Sequence, residues 1–283
     1  RYCVRLGAGR FLLLWAFTLA FGFSGRSSSE RCLSAHVLGI LNDQYYFIFA
    51  VLPILLFFCG SVMEDDAEIV IFRYGTYRRY FVAKWTSLGM LCSGLWLGQI
   101  VILFLTGLGL PISADGWGGF SSSSLYRDIA ALLATYFSSP WVALLCAAVF
   151  LLIGYWLISL LALWLGHFLS QSYAIKVLLA LYVLAVFSIK LPIMSRPPFC
   201  YWTGLNHWVL LLHSLTETWR LPLTVIVTVL FVATVSYTIR NGWRHIPFTR
   251  KSPCGLVAYH RRILFSKSNT LLLLGLIFLL AGW

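Results

Sequence analysis

Six stretches of this chain are apolar over lengths that fit a lipid bilayer, and they leave few architectures open. They lie at about Phe11–Gly25, Gln44–Met63, Trp85–Leu110, Trp141–Leu169, Tyr173–Ile193 and Leu221–Ile239. A helix needs roughly 20 mainly apolar residues to cross the hydrocarbon core. Barrel strands would instead alternate apolar and polar residues over ~10 positions, and these runs do not. The expectation is an all-α polytopic membrane protein with six transmembrane helices. The first run is short unless it extends back through Leu6. Its basic start resembles a secretory leader, but the small-residue context Phe23–Ser24–Gly25 is weak and five further runs follow. It therefore reads as a retained first span.

Composition agrees: 60% of the 283 residues are hydrophobic, only 11% are charged, and the mean hydropathy is +0.85. Soluble domains carry about a quarter charged residues. With the N-terminus inside, the inner segments hold fifteen of the 21 basic residues and the outer segments six, the asymmetry expected of cytoplasmic loops. The net charge of +12 is thus a topology signal and does not imply nucleic-acid binding, which needs a basic patch on a soluble face. The reading is a six-helix transmembrane domain over 1–240, followed by a basic cytoplasmic segment and a terminal hydrophobic segment over 241–283.

The connecting segments differ in character. The outer linker Arg26–Asp43 is Ser-rich and expected to be partly irregular. The Gly- and Ser-rich stretch Pro111–Ser124 cannot continue a helix, and Leu125–Phe137 after it reads as a short amphipathic or re-entrant helix. In Met194–Arg220 the aromatic residues Tyr201, Trp202, Trp208 and Trp219 suit the headgroup level, so an interfacial anchor is favoured over an outer gate. Asn206, His207 and His213 do not suggest a metal site, because positions six apart fall on different helix faces and no thiol or carboxylate completes a set. Cys59, Cys92 and Cys146 read as small apolar residues inside spans, while a Cys32–Cys200 disulfide is open. Gly94 and Gly98 form a small-xxx-small pair suited to close helix approach. Apart from the polar Gln99, no span holds a clear ionisable residue away from its ends, which counts against a proton or ion relay.

One segment breaks the apolar pattern. Eight of the 22 residues of Glu64–Trp85 are charged: Glu64, Asp65, Asp66, Glu68, Arg73, Arg78, Arg79 and Lys84. The acidic start suits the positive end of a helix dipole, and Ile69, Val70 and Phe72 give it an apolar stripe. Gly75 is a natural stop because it tolerates positive φ, and Thr76 can cap the next helix. A plain inner loop would account for the basic residues but not for the acidic start, stripe and stop in order.

The run Glu68-x4-Arg73-Tyr74-Gly75-Thr76-x-Arg78-x5-Lys84-Trp85 resembles the segment that follows the second span in ABC-2-type exporter permeases. It is most similar to the small six-span permeases of bacterial peptide-antibiotic export or self-protection, with Thr76 where Ser is commoner. The resemblance implies that this segment is a coupling helix docked on an ATP-binding subunit, with Glu68, Phe72, Arg73, Tyr74, Gly75, Arg78 and Lys84 as coupling residues. The chain has no G-x-x-x-x-G-K-[ST] phosphate loop. The implied partners are therefore a separate ATPase chain, which would carry ATP and Mg, and a second copy or related permease in the plasma membrane. This chain would hold no cofactor or metal and would be a transport subunit, not an enzyme.

Two other classes stay open: an integral-membrane enzyme acting on lipid-linked substrates, and a non-catalytic anchoring subunit. The first needs convergent acids, bases or nucleophiles, and Asp115, Asp128, His207, His213 and Glu217 are dispersed in sequence. Among cargoes, a peptide or antibiotic-like substrate is preferred over a lipid-linked glycan on the resemblance alone. The run Leu271–Trp283 is too short to cross and is open to three readings: the start of a further span, the opening of a second permease half, or a re-entrant segment.

Overall fold

The helices begin and end where cap chemistry permits. The computed structural model describes residues 8–26, 32–62, 74–112, 116–119, 124–169, 171–190 and 205–240. In chain order these form α1 (Ala8–Arg26), α2 (Leu33–Leu41), α3 (Gln44–Tyr46), a π-helical turn (Phe47–Val51), α4 (Leu52–Val62) and α5 (Tyr77–Thr106). A short 3-10 turn (Gly116–Gly119) precedes α6 (Ser124–Tyr136), α7 (Pro140–Phe168), α8 (Gln171–Lys190), α9 (Asn206–Val209), α10 (Leu211–Leu215) and α11 (Arg220–Arg240). No strand occurs among the described residues. All of them belong to one compact unit within Arg1–His245, and the expected second segment, 241–283, lies outside the described residues.

The expected six long spans become three by length and composition among the described residues: α5, α7 and α11. At 1.5 Å per residue, α5 and α7 are about 45 and 43 Å long, longer than the ~30 Å hydrocarbon core. The other expected spans fall short for separate reasons. Among the described residues Phe11–Gly25 and Gln171–Phe187 are apolar helices shorter than a full span. The expected span Gln44–Met63 is one arm of a bent pair, Leu33–Leu41 with Gln44–Gly60, meeting at 46° and counting as a fourth candidate if taken as one broken span.

That bend corrects the linker reading of Arg26–Asp43. Leu33–Leu41 is a helix whose residues from Ser34 to Leu41 are all buried. It ends because Asn42 turns its amide back onto the Leu38 carbonyl at 3.0 Å. The chain restarts because the Asp43 carboxylate accepts from the backbone N–H groups of Tyr45 (2.8 Å) and Tyr46 (3.0 Å), the usual N-cap arrangement. The π-helical turn follows directly; such turns carry one residue more per loop than an α-helix and recur at functional sites.

Helix α7 is the hub. It packs against α2, α4, α5, α6, α8, α9 and α10, and 61% of its apolar window is buried, against 33% for α5 and 17% for α11. Small residues on it, Ala143, Ala147, Ala148, Gly154 and Ala162, are buried and let neighbours approach. In lipid, apolar burial alone does not drive helices together, so fit and polar contacts decide the packing. Helix α11 sits at the edge with Val225, Ile226, Val229, Leu230 and Tyr237 exposed. Its threonines suit such a place because each hydroxyl donates to a carbonyl one turn back: Thr224 to Arg220, Thr228 to Thr224, Thr234 to Leu230 and Thr238 to Thr234.

Glycines give close fit, though not as the Gly94–Gly98 pair suggested. A methyl on Gly98 would fall inside the Trp15 indole of α1, and one on Gly89 would lie 2.8 Å from the Trp156 ring of α7. Gly94 has nothing within 4 Å. The small residues on α5 are holes for tryptophans from two neighbours, not a track for backbone contact.

Candidate functional site

One end of the bundle gathers the start of α5, the end of α7 and the end of α11. Gly75 has φ +69°, and a Cβ there would meet nothing within 4 Å. The demand for glycine at this point is therefore conformational, not steric. Thr76 is extended (φ −135°, ψ 143°) and its hydroxyl accepts from Arg79 N–H at 3.4 Å, which opens α5. Tyr74 is exposed and meets the Tyr80 ring edge to face at 5.7 Å. Tyr77 ties this start to the far end of α7 through a 2.7 Å hydrogen bond between its hydroxyl and His167 Nδ1. A β-branched residue at φ +69° costs about 1 kcal/mol or more, whereas asparagine tolerates that region. Gly75→Val is expected to speed amide hydrogen exchange at Arg79 several-fold, with Gly75→Asn near wild type.

Of the expected coupling residues, Tyr74, Gly75 and Arg78 fall together on this exposed turn. Lys84 does not join them. It is buried eight residues into α5, with its ammonium 5.6 Å over the Tyr80 ring. Glu68, Phe72 and Arg73 lie outside the described residues. Sequence reasoning missed His167 and Arg240, which come to this end from α7 and α11.

Behind this end runs a polar seam between α5 and α7. Trp85 Nε1 donates to the Trp156 carbonyl (3.2 Å), Trp156 Nε1 to Ser93 Oγ (3.0 Å) and Trp96 Nε1 to the Ala148 carbonyl (2.9 Å). Gln99 completes it. Its amide donates to Tyr46 Oη at 2.8 Å and its carbonyl accepts from Tyr155 Oη at 2.6 Å. Tyr46 also pairs with Thr18 Oγ1 at 2.7 Å, so α1, the bent pair, α5 and α7 meet on one buried amide. Gln99, Tyr46, Tyr155 and Thr18 are each no more than 2% exposed. Cys59 of α4 and Cys92 of α5 are both fully buried free thiols, as small apolar residues inside helices are.

At the opposite end the segment from Leu205 to Leu215 enters the bundle, which corrects the interfacial-anchor reading for this part. Leu205, Asn206, His207, Val209, Leu210, Leu211, Ser214 and Leu215 are buried. Asn206 donates to the Ala185 carbonyl of α8 at 3.1 Å, and Trp208 packs on Phe231 of α11 at 5.1 Å. Trp219 alone keeps an exposed position among the described aromatics of this stretch; Tyr201 and Trp202 lie outside the described residues. The chain straightens at Leu210 (φ −96°, ψ 105°) between α9 and α10, which brings His207 and His213 within 5.8 Å, ring to ring. Burial lowers His207 to about 3, with His213 and Arg220 adding to the fall, and burial followed by Arg220 lowers His213 to about 4. Both imidazoles are therefore neutral at neutral pH. Among the described residues no cluster of three potential metal ligands forms around them or elsewhere. Cys32 carries a buried free thiol 3.3 Å from Ser34 Oγ, and Cys200 lies outside the described residues.

No protein-family model, curated protein or solved structure matches this chain.

Proposed function

We propose that this chain is the membrane permease subunit of an ATP-binding-cassette exporter, moving a peptide or antibiotic-like substrate outward with energy from a separate ATPase. The observation that carries this reading is the Tyr74–Gly75–Thr76 reversal, a glycine-stopped and threonine-capped turn. It presents Tyr74, Arg78 and Arg79 outward at the head of a helix about 45 Å long. A partner pushing on that turn would move α5, and through Tyr77–His167 also α7. Rigid-body motion of this kind is how ATPase closure would switch access.

In this reading the bent pair and the shorter helices α1 and α8 also cross, which gives six crossings with both ends of the 1–240 unit in the cytoplasm of a plasma-membrane protein. Two features support it. Arg78, Arg79, Lys84, Lys176 and Arg240 lie at the end of the bundle where α5 and α8 start and α11 stops, as the positive-inside rule asks of a cytoplasmic face. Thinly buried α11 offers an apolar face for lipid or for a second permease copy.

The test is biochemical. Purified from its native membrane, the tagged chain is expected to bring with it a subunit bearing a P-loop. Gly75→Val and Arg73→Ala are each expected to lower ATP turnover of that complex several-fold while the permease stays in the membrane. A complex without any nucleotide-binding subunit, or full turnover in both variants, refutes the proposal.

A further inference from the structure

A lateral groove of about 370 Å³ opens between α5, α7 and α11 at the basic end of the bundle. Its chemistry is split. Arg78, in the first turn of α5, and Arg240, the last residue of α11, stand on its rim, both exposed. Leu160 and Val235 form the buried wall, and Val82 and Tyr237 are exposed at the side opening. None of the residues lining it is acidic. Two guanidiniums that come from different helices and close on one apolar slot are poorly explained by topology alone, which asks only for positive charge at this face. Guanidiniums suit phosphate because their planar donors pair with its oxygens. A slot running inward from the charged rim along apolar walls suits a hydrocarbon chain.

We infer that this groove is a binding site for one anionic phospholipid, its headgroup phosphate held between Arg78 and Arg240 and one acyl chain lying along Val82, Leu160 and Val235. Basic pockets between transmembrane helices are a recurrent way of selecting anionic headgroups. The occupant is a lipid and not a soluble phosphate because the apolar walls would otherwise face an empty, wetted slot beside the bilayer. The volume fits one chain segment, so the second chain stays in the bilayer beside exposed Tyr237. The inference rests on the chain being membrane-embedded and does not depend on an ATPase partner.

Native mass spectrometry of the detergent-purified chain, titrated with phosphatidylglycerol or phosphatidylcholine, tests it. Phosphatidylglycerol is expected to bind with one site and clear preference over phosphatidylcholine. Arg78→Gln and Arg240→Gln are each expected to weaken it about five-fold, and Arg220→Gln, at the other end, not at all. Val82→Trp keeps both charges and fills the slot, and is expected to abolish retention of the two-chain lipid without reducing binding of inorganic phosphate. Equal binding of the two lipids would overturn the site, as would unchanged phosphatidylglycerol affinity in the Arg78→Gln, Arg240→Gln double variant. Displacement by inorganic phosphate at matching concentration would show a soluble anion site instead. A dimer of this chain that forms only when Arg78 and Arg240 are intact and excludes lipid would assign the groove to a second copy.

Discussion

Gly154→Ala, the addition of one methyl group, is expected to expel the Asn206–Leu215 segment from the bundle. Gly154 is the midpoint of hub helix α7, and a Cβ there would stand 2.5 Å from the Trp208 carbonyl oxygen and 3.0 Å from Val209 Cα. These obstacles are backbone, which cannot rotate away as a side-chain tip does. Overpacking a well-filled site costs about 1–3 kcal/mol where side chains absorb it, and here a whole element must move. The loss is also coupled, because Asn206 on α9 holds the Ala185 carbonyl and Trp208 packs on α11. The variant is expected to lose at least 2 kcal/mol, roughly, in a denaturant titration in mixed micelles, with amides of 206–215 losing protection from hydrogen exchange. Gly94→Ala is the control: with nothing within 4 Å it is expected to gain up to about 1 kcal/mol from helix propensity. Equal stability of the two variants would show that α9 does not sit on Gly154.

The second large effect belongs to Gln99. Replacing it by leucine keeps the volume roughly constant and removes a donor from Tyr46 and the acceptor of Tyr155. Tyr46 retains Thr18. Interhelical hydrogen bonds in membranes average only ~0.6 kcal/mol, but an orphaned buried hydroxyl costs about 1–3 kcal/mol. Gln99→Leu is therefore expected to destabilise by about 2 kcal/mol. Adding Tyr155→Phe should return part of that loss, because both partners are then apolar. The double-mutant cycle is the measurement. Strictly additive losses would mean that the two side chains are not bonded.

The positions of α5, α7, α8 and α11 were legible to within a few residues, because long uniform apolar runs need no tertiary knowledge. The expected apolar span began at Trp85, and the helix that Thr76 was expected to cap runs into it without a break, so that α5 starts at Tyr77. The turn at Gly75 and Thr76 was equally legible, since a positive φ and a hydroxyl cap are local events. The helix Leu33–Leu41 was missed: nine residues that include Ser34 and His36, behind a Ser-rich linker, read as loop, although the restart at Gln44 after the Asp43 cap was placed. Nothing local marks the kink at Leu210, which has no glycine or proline, so the approach of His207 to His213 was illegible. The partners of Gln99 come from positions 53 and 56 residues away, and residue spacing on one helix says nothing of them.

The bonds joining α5 to α7 have a mechanical consequence. They tie the pair from Tyr77–His167 at one end, through Trp85 and Trp156, to Trp96 and Tyr155 deep in the bundle. Two rods riveted at several heights cannot slide past each other without breaking every rivet at once. A load applied at the Tyr74–Thr76 turn is thus carried as the tilt of a stiff strut. The compliance must lie elsewhere, in the 46° elbow at Asn42–Asp43, since α11 too is pinned to α7 by the 3.0 Å bond from Trp164 Nε1 to Thr238 Oγ1.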